Sequence, residues 1–231
     1  MKTTRTSPDI EIIFEDNHLL VVNKPVGLLS QEDHTGDTDI LTLCKEYIKT
    51  EYNKPGNVFV GLLHRLDRPV SGVMMLAKTS KAASRISEQI RRRTIKKKYL
   101  AVVTGNPPPN GYLTHHLLKD EKTNTVQVVE PNVKHSQDAK LMFQRLETVD
   151  DLHLLKVSLM TGRPHQIRVQ LSEEGYPIWG DQKYGQSNRS TPALHAFSLE
   201  LEHPTLKKEI FFSAKPPKIT PWNKFSIKTS T

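Results

Sequence analysis

A chain of 231 residues is long enough for one large domain or two small ones, each with a sizeable core. Its 33 Lys and Arg against 25 Asp and Glu leave a formal charge of +8, which favours a polyanionic partner, nucleic acid ahead of an anionic membrane. The start, Met1 to Arg5, has no apolar leader, and no run approaches the roughly 20 apolar residues that cross a bilayer, so a soluble cytoplasmic protein without membrane contact is expected.

Glu11 to Glu15 and Leu19 to Val22 are short β-branched and aromatic runs split by Asp16-Asn17, which predicts a hairpin followed by a turn at Lys24-Pro25-Val26-Gly27. Residues Thr38 to Tyr52 carry Ile40, Leu43, Cys44, Tyr47 and Ile48 at helical spacing, with Asp37 or Thr38 as N-cap. Cys44 is the only cysteine, which excludes an intrachain disulfide and assigns it to the core face of that helix. Phe59 to Leu63 and Val73 to Leu76 read as strands joined by a loop, and Ser80 as the cap of a helix with an Ala83, Ile86, Ile90 stripe. Arg85, Arg91, Arg92 and Arg93 gather toward the end of that helix, where cations suit its dipole.

Lys97 to Thr104 predicts a strand, and the loop Asn106-Pro107-Pro108-Pro109-Asn110-Gly111 marks the best place to divide two subdomains, near 105–111. Strands are expected at Tyr112 to Leu118, Val126 to Glu130, Lys140 to Thr148 and Leu152 to Met160, the last two joined at Asp150-Asp151. Pro164 suits the first position of a helix running to Glu174, with Ile167 and Leu171 inward and Gly175 as its stop. Alternation at Phe197, Leu199 and Leu201, then Glu209 to Ser213, gives two more strands before a Pro- and Lys-rich tail. Many strands and few helices without βαβ alternation argue for an α+β fold on a mostly antiparallel or mixed central sheet, flanked by helices and loops. The expected layout is one domain over 11–215 between tails of 1–10 and 216–231. Ten histidines without ligand spacing give no reason to expect a metal, and no extended apolar interface argues against a monomer.

Four clusters carry chemistry. His64-Arg65-Leu66-Asp67-Arg68-Pro69-Val70-Ser71-Gly72 sets one carboxylate between two arginines in a turn, where neighbouring cations keep Asp67 ionised. It is a candidate nucleophile; the alternative is an ion pair with Arg65 or Arg68 that pins the turn. Arg91-Arg92-Arg93-Thr94-Ile95-Lys96-Lys97-Lys98-Tyr99 places six cations before an aromatic, a pattern suited to phosphates and a stacked base. Thr161-Gly162-Arg163-Pro164-His165-Gln166-Ile167-Arg168 opens a helix from which Arg168 could border a cleft and meet a carboxylate from another loop. Gly180-Asp181-Gln182-Lys183-Tyr184-Gly185 fits either a cleft-lining loop or a plain turn.

Together these residues resemble the RluA-type pseudouridine synthases. His64 to Arg68 with Ser71-Gly72 is similar to that family's first motif, Lys97 to Ala101 to its second, and Thr161 to Val169 to its third; the similarity runs from about Glu11 to Lys215. Val70 and Gln170 depart from the usual threonine and histidine. The resemblance implies a pseudouridine synthase fold with a central active-site cleft, Asp67 as the catalytic aspartate, Tyr99 stacking on the target uracil, Arg168 as basic partner of the aspartate and Ile167 as an apolar wall. His64, Arg65, Arg68, Arg163, His165 and Gln166 would line the substrate, and Arg91, Arg92, Arg93, Lys96, Lys97 and Lys98 would grip the RNA backbone. It implies an RNA partner, ribosomal or transfer, no cofactor, and, with ten residues before Glu11, no S4-like domain. Moving C1′ from N1 to C5 of uracil is neither redox chemistry nor hydrolysis. The other readings are a non-catalytic RNA-binding module and a nucleosidase, the latter needing a second carboxyl group.

Overall fold

The computed structural model describes residues 10–185 and 191–227. The expected N-terminal tail lies outside the described residues except for Ile10, and so do residues 228–231. In chain order the elements are β1 (Glu11–Glu15), β2 (Leu19–Lys24), α1 (Ile40–Glu51), β3 (Gly61–Leu62), β4 (Ser71–Ala77), α2 (Ser80–Arg91), β5 (Lys96–Val103) and β6 (Asn110–Asp120). There follow β7 (Thr125–Val129), β8 (Gln137–Val149), β9 (Leu152–Leu159), α3 (Gln166–Glu173), β10 (Leu194–Glu202) and β11 (Glu209–Ser213). The fold is α+β, as the strand-rich pattern predicts.

The chain forms two compact units, one from the residues up to Ile95 with Ala196–Lys215, the other from Lys96–His195 with the residues from Pro216 onward. The division thus falls between Ile95 and Lys96, not near 105–111. The proline loop is tied into the second unit: the Arg145 side chain donates to Pro107 O (2.9 Å) and Arg145 N to Pro109 O (2.8 Å). Nor is the segment after 215 a loose tail. Trp222 and Phe225 are buried, Trp222 meets the His195 ring edge-on at 6.2 Å, and Lys224 bonds Asp150.

In the first unit the strand order is β1-β2-β4-β10, with β3 on β4 and β11 on β10. Leu19, Leu20, Val21 and Val22 of β2 are all fully buried, so this strand is covered on both faces and its sequence is continuously apolar rather than alternating. Val73, Met75, Ile86, Leu199, Leu201 and Phe212 complete that core. Helix α1 is capped by Asp39, whose carboxylate accepts from Thr42 N and Thr42 Oγ1, and α2 by Thr79, which accepts from Ala82 N. Both caps differ from the expected Asp37 or Thr38 and Ser80, because a cap must be extended and reach the amide three residues on. Cys44 is buried in α1, and burial pushes its thiol up to about 12, so it is packing rather than a nucleophile.

The second unit is an antiparallel sheet in the order β5-β9-β8-β6-β7. One face carries Leu117, Val126 and Ala139, against which Val169 of α3 packs. Helix α3 begins at Gln166 instead of Pro164, since His165 at its N-terminus adopts φ 52°, a left-handed conformation that cannot continue a helix backward. Among the described residues no helix is long and apolar enough to cross a membrane.

Gly72, the second residue of β4, sits at φ +121°, and a Cβ there would lie 2.2 Å from the Ala196 carbonyl oxygen of β10. Gly72→Ala is therefore expected to cost about 3 kcal/mol or more, adding backbone strain of roughly 1–3 kcal/mol to overpacking of similar size. Urea unfolding of the variant measures this, and a midpoint shift too small for 1 kcal/mol would contradict it.

Candidate active site

Asp67 sits, half-buried, at the tip of the loop between β3 and β4, which pair antiparallel as Gly61↔Ala77 and Leu62↔Leu76. Backbone bonds to neighbouring segments fix this tip. The Ser30 hydroxyl accepts from Leu66 N (3.0 Å) and donates to Leu66 O (2.6 Å), while Val70 N donates to Asp67 O (2.9 Å) and closes the turn. On the far side Arg68 O accepts from Gly27 N (2.9 Å), and the Arg68 Nε donates to Gly27 O (3.0 Å). His64 Nε2 accepts the Met75 amide at 3.0 Å, which settles its tautomer with the proton on Nδ1. Thus the backbone on both sides of Asp67 is fixed by bonds to neighbouring segments.

The two flanking arginines do not behave alike. Arg68 turns outward to an exposed ion pair with Asp37 (2.7 Å), and Arg65 is exposed. The cation that the fold buries beside this loop is Lys24, fully inaccessible, whose ammonium donates to the carbonyls of Leu28 (2.6 Å), Pro25 (3.1 Å) and Arg68 (3.2 Å). Burial lowers the Lys24 pKa to about 8; the Asp67 charge works against that shift and the Arg68 charge adds to it. Sequence patterning showed Lys24 only as the start of a turn, because its partner at Arg68 lies 44 residues away.

Lys24→Met would take the donor from the carbonyls of Leu28 and Pro25, Arg68 O keeping the Gly27 amide, at about 1–3 kcal/mol each, so a loss of roughly 2 kcal/mol or more is expected at pH 7. The pH dependence has a definite sign. A lysine whose folded pKa (about 8) lies below its ordinary 10.5 leaves the unfolded chain holding the extra proton between those values, so its contribution to stability rises with pH across that window. Urea unfolding of the wild type and Lys24→Met at pH 7 and pH 9.5 tests both statements: the gap between the two proteins should widen at the higher pH.

In the second unit, Arg168 of α3 is buried and gripped by the fully buried Asp181. Its Nε donates to Oδ2 (2.7 Å) and its Nη2 to Oδ1 (2.8 Å), a bidentate clamp. Burial raises the Asp181 pKa, but the Arg168 bonds and charge, with the amides of Tyr184 and Lys183, outweigh it and hold the carboxyl below its ordinary value. The guanidinium also lies over the Tyr184 ring, 5.1 Å from its centroid, and the Tyr184 hydroxyl bonds His165 Nδ1 (2.6 Å) and Val126 N (2.8 Å). The loop Gly180 to Gly185 is therefore the support of Arg168 and His165. Its glycine-bracketed sequence flagged the loop, but nothing local identified the partners.

Several third-motif side chains are engaged in holding the motif itself. Gln166 is buried: its Oε1 accepts from Thr161 Oγ1 and Arg163 N, and its Nε2 donates to Lys140 O and Gln170 Oε1. Arg163 bridges to Asp138 through both O (3.0 Å) and Oδ1 (3.1 Å), and Ile167 is core. Gln170, at the position where the resemblance expects histidine, donates to His115 Nδ1 and Ala139 O, binding α3 to β6 and β8. Tyr99 lies half-buried on β5, opposite Val157 of β9. Of the basic run, Arg91, Arg92, Arg93 and Lys96 are exposed, Arg91 pairing with Glu88, while Lys97 and Lys98 are half-buried and burial lowers the Lys97 pKa.

These arrangements suit a protein that handles a base and its phosphates: a carboxylate on a fixed basic loop, a sheet tyrosine, and an arginine whose direction is set by a second carboxylate. Comparison with known proteins agrees. The sequence profile described as RNA pseudouridylate synthase matches residues 18–173, and the chain belongs to that family. The ribosomal large subunit pseudouridine synthase D of Zymomonas mobilis is 30% identical over 224 residues, covering 90% of this chain and 69% of that protein. The ribosomal large subunit pseudouridine synthase C of Pasteurella multocida is 35% identical over 204 residues, covering 84% and 60%. Across the relatives most similar to it, this chain spans 58% to 69% of their length. Among solved structures, human RNA pseudouridylate synthase domain containing 4 superposes with a TM-score of 0.76 at 27% identity, covering 90% of this chain and 88% of that one. An RNA pseudouridine synthase isomerises uridine in RNA, and that is the class of enzyme to which the chain belongs.

Proposed function

We propose that the protein converts uridine to pseudouridine in large-subunit ribosomal RNA, acting as a cytoplasmic monomer, with Asp67 as the catalytic carboxylate. Tyr99 supplies the stacking ring and Arg168 the basic group that the resemblance implies. The observation that carries this reading is the ordered set of three motifs inside a family match over residues 18–173. The names of the relatives compared above favour ribosomal over transfer RNA. A non-catalytic RNA-binding module would have no need of a carboxylate held on a basic loop.

The reaction is balanced without a cofactor. The N1–C1′ bond breaks, the base turns, C5 bonds to C1′, and the proton lost from C5 is matched by one gained at N1. The departing uracil delocalises charge onto its own carbonyl oxygens, so one carboxylate suffices where a glycosidase uses two. Attack at C1′, proton removal from the sugar and addition to C6 of the base all use the same side chain. The base must leave its stack at a cost of a few kcal/mol, which stacking on Tyr99 and phosphate contacts of the Arg91 to Lys98 run offset.

Mapping pseudouridines in ribosomal RNA from cells lacking the protein tests the assignment: at least one large-subunit position should revert to uridine, and an unchanged map would overturn it. Tyr99→Phe keeps the stacking face and is expected to retain RNA affinity within about twofold, since most of the stacking energy lies in the ring. Loss of turnover in Tyr99→Phe at unchanged affinity would instead assign its hydroxyl to proton transfer.

A further inference from the structure

A chain of hydrogen bonds inside the second unit runs in one direction from the third motif to the far end of α3. Arg163 N (3.0 Å) and Thr161 Oγ1 (2.8 Å) donate to Gln166 Oε1, and Gln166 Nε2 donates to Lys140 O (3.1 Å) and Gln170 Oε1 (2.9 Å). Gln170 Nε2 in turn donates to Ala139 O (3.1 Å) and meets His115 Nδ1 at 3.1 Å, while His115 Nε2 lies 3.1 Å from Glu174 Oε1. Gln166 and Gln170, four residues apart, share one face of α3, and Glu174 continues it at the C-cap. His115 of β6 pairs with Ala139 of β8 under that face.

The polarity of this chain is fixed at both ends. A backbone amide can only donate and a backbone carbonyl only accept, so Arg163 N sets the oxygen side of the Gln166 amide, and Lys140 O and Ala139 O set the nitrogen sides of Gln166 and Gln170. An amide nitrogen has two hydrogens and accepts nothing, so the ring atom that meets Gln170 Nε2 must be the acceptor. His115 is therefore a neutral imidazole with Nδ1 bare and its proton on Nε2, directed at the Glu174 carboxylate.

An imidazolium at this position would set an N–H against the N–H of Gln170. Either the ring parts from Gln170 and leaves a buried donor unpaired, or the amide turns over and sets its oxygen against Ala139 O and its nitrogen against Gln166 Nε2. Both loosen the bonds that hold α3 on β6 and β8. His165, the residue before the helix, supplies no side-chain cap that could stand in for Gln166. The His115 side chain is 15% exposed, so protons reach the ring, whereas both glutamines are buried. The charged groups around the ring are Glu173 and Glu174 at the end of α3, Glu130 just beyond the His116↔Val129 pair of β7, and Lys119 of β6, bonded to Glu121. Tyr184, packed on the Leu117 and Val126 cluster, bonds His165, and the residue facing His115 from β8 is Ala139.

We propose that His115 is a positioning residue for the third motif: as the last acceptor of this relay it fixes the orientation of Gln170 and Gln166, and a proton taken up on its Nδ1 loosens the entry to α3, the helix that carries Arg168. The amide that makes the relay stands at the position where the resemblance expects histidine. The effect on turnover rests on the reading that the third motif serves uridine isomerisation; the relay itself does not.

Wild-type protein labelled with nitrogen-15 in histidine and glutamine reports the relay without RNA. At about pH 8, long-range nitrogen–proton correlation should show His115 Nδ1 unprotonated and Nε2 protonated. On acidification to about pH 5 the side-chain amide signals of Gln170 and Gln166 should move with the same midpoint as the His115 ring. A proton on Nδ1 at about pH 8, a ring still neutral at about pH 5, or Gln166 signals that stay fixed while His115 titrates would each overturn the proposal. Turnover supplies a second readout, by tritium release from RNA containing 5-tritiated uridine. His115→Leu should lower kcat at about pH 8 by at least about fivefold, the factor equivalent to one lost hydrogen bond, with KM within about twofold. His115→Asn keeps an oxygen acceptor in place of Nδ1 and takes up no proton, so it should restore most of that kcat and lose the part of the acid-side decline that follows the His115 midpoint. Should His115→Leu fail to fold, the wild-type spectra and His115→Asn carry the test. A pH profile of kcat in His115→Asn that superposes on the wild type would make His115 a packing residue and overturn its positioning role. Absence of tritium release from the wild type would remove the isomerase reading, and the spectra would still decide the relay.

Discussion

Replacing Asp67 by asparagine is expected to lower pseudouridine formation by at least about 10³-fold, a loss of some 4 kcal/mol in transition-state stabilisation, while leaving the fold and RNA affinity nearly unchanged. The structure gives the reason for the separation. The loop is held by Ser30 on Leu66, by the Asp67 to Val70 turn and by Lys24 and Gly27 on Arg68 O, all through backbone atoms that an amide side chain leaves alone. Asparagine has nearly the shape of aspartate but is neither a competent base nor a nucleophile at neutral pH. The charge change also has a local signature: without the Asp67 charge, which now supports the Lys24 ammonium, the Lys24 pKa should fall below its present value of about 8. Tritium release from RNA containing 5-tritiated uridine measures the chemistry, because the C5 proton leaves when C5 bonds to C1′; filter binding measures affinity. Turnover within tenfold of wild type would remove Asp67 from the mechanism.

The sequence made some of this architecture visible and hid other parts for definable reasons. Strands such as β8, β9 and β10, whose apolar residues alternate or whose turn residues bracket them, were legible because strand periodicity is local. Helix starts were less so. Asp39, Thr79 and His165 define the beginnings of α1, α2 and α3 through backbone conformation and one bond each, and neighbouring residues of similar type compete on paper for the same role. The proline run was misleading as a boundary because its carbonyls are claimed by Arg145 from 38 residues away. The return of Ala196–Lys215 to the first unit has no local signature at all.

The candidate site divides in the same way. Asp67, Tyr99 and Arg168 are proposed from motif order, by resemblance to the family. Lys24 and Asp181, which determine how two of the motifs are held, are not: each is an ordinary charged residue in an ordinary turn until the fold removes it from water and gives it a partner elsewhere in the chain. Arg163 and Gln166, which the resemblance would place along the substrate, also bond within the fold: Arg163 through Nε and Nη2 to Asp138, and Gln166 to Thr161, Lys140 and Gln170. Polarity within a motif marks a constraint, and only geometry distinguishes contact with substrate from support of the loop.

That distinction predicts a large effect at Asp181, a residue that touches no reacting atom in the proposed chemistry. Asp181→Ala takes the bidentate partner from a buried guanidinium, and removing one member of such a pair typically costs about 3–5 kcal/mol. It also frees the amides of Lys183 and Tyr184, so the loop that carries the Tyr184 ring under Arg168 loses its anchor. Destabilisation in urea should therefore be accompanied by a fall in kcat larger than any rise in KM, because a guanidinium no longer fixed in direction is misplaced for the transition state more than for RNA binding. Asp181→Asn separates charge from shape: one oxygen still accepts from Arg168, and both stability and kcat should be intermediate. The pH dependence follows from the lowered Asp181 pKa. Its stabilising contribution is complete above the ordinary carboxyl value of 3.8 and is lost as pH falls through the lower folded value, so part of the acid-side decline of the wild type should be missing in Asp181→Asn. If Asp181→Ala lost stability but turned over RNA at the wild-type kcat, Asp181 would be a structural anchor alone, and the clamp would have no part in placing Arg168.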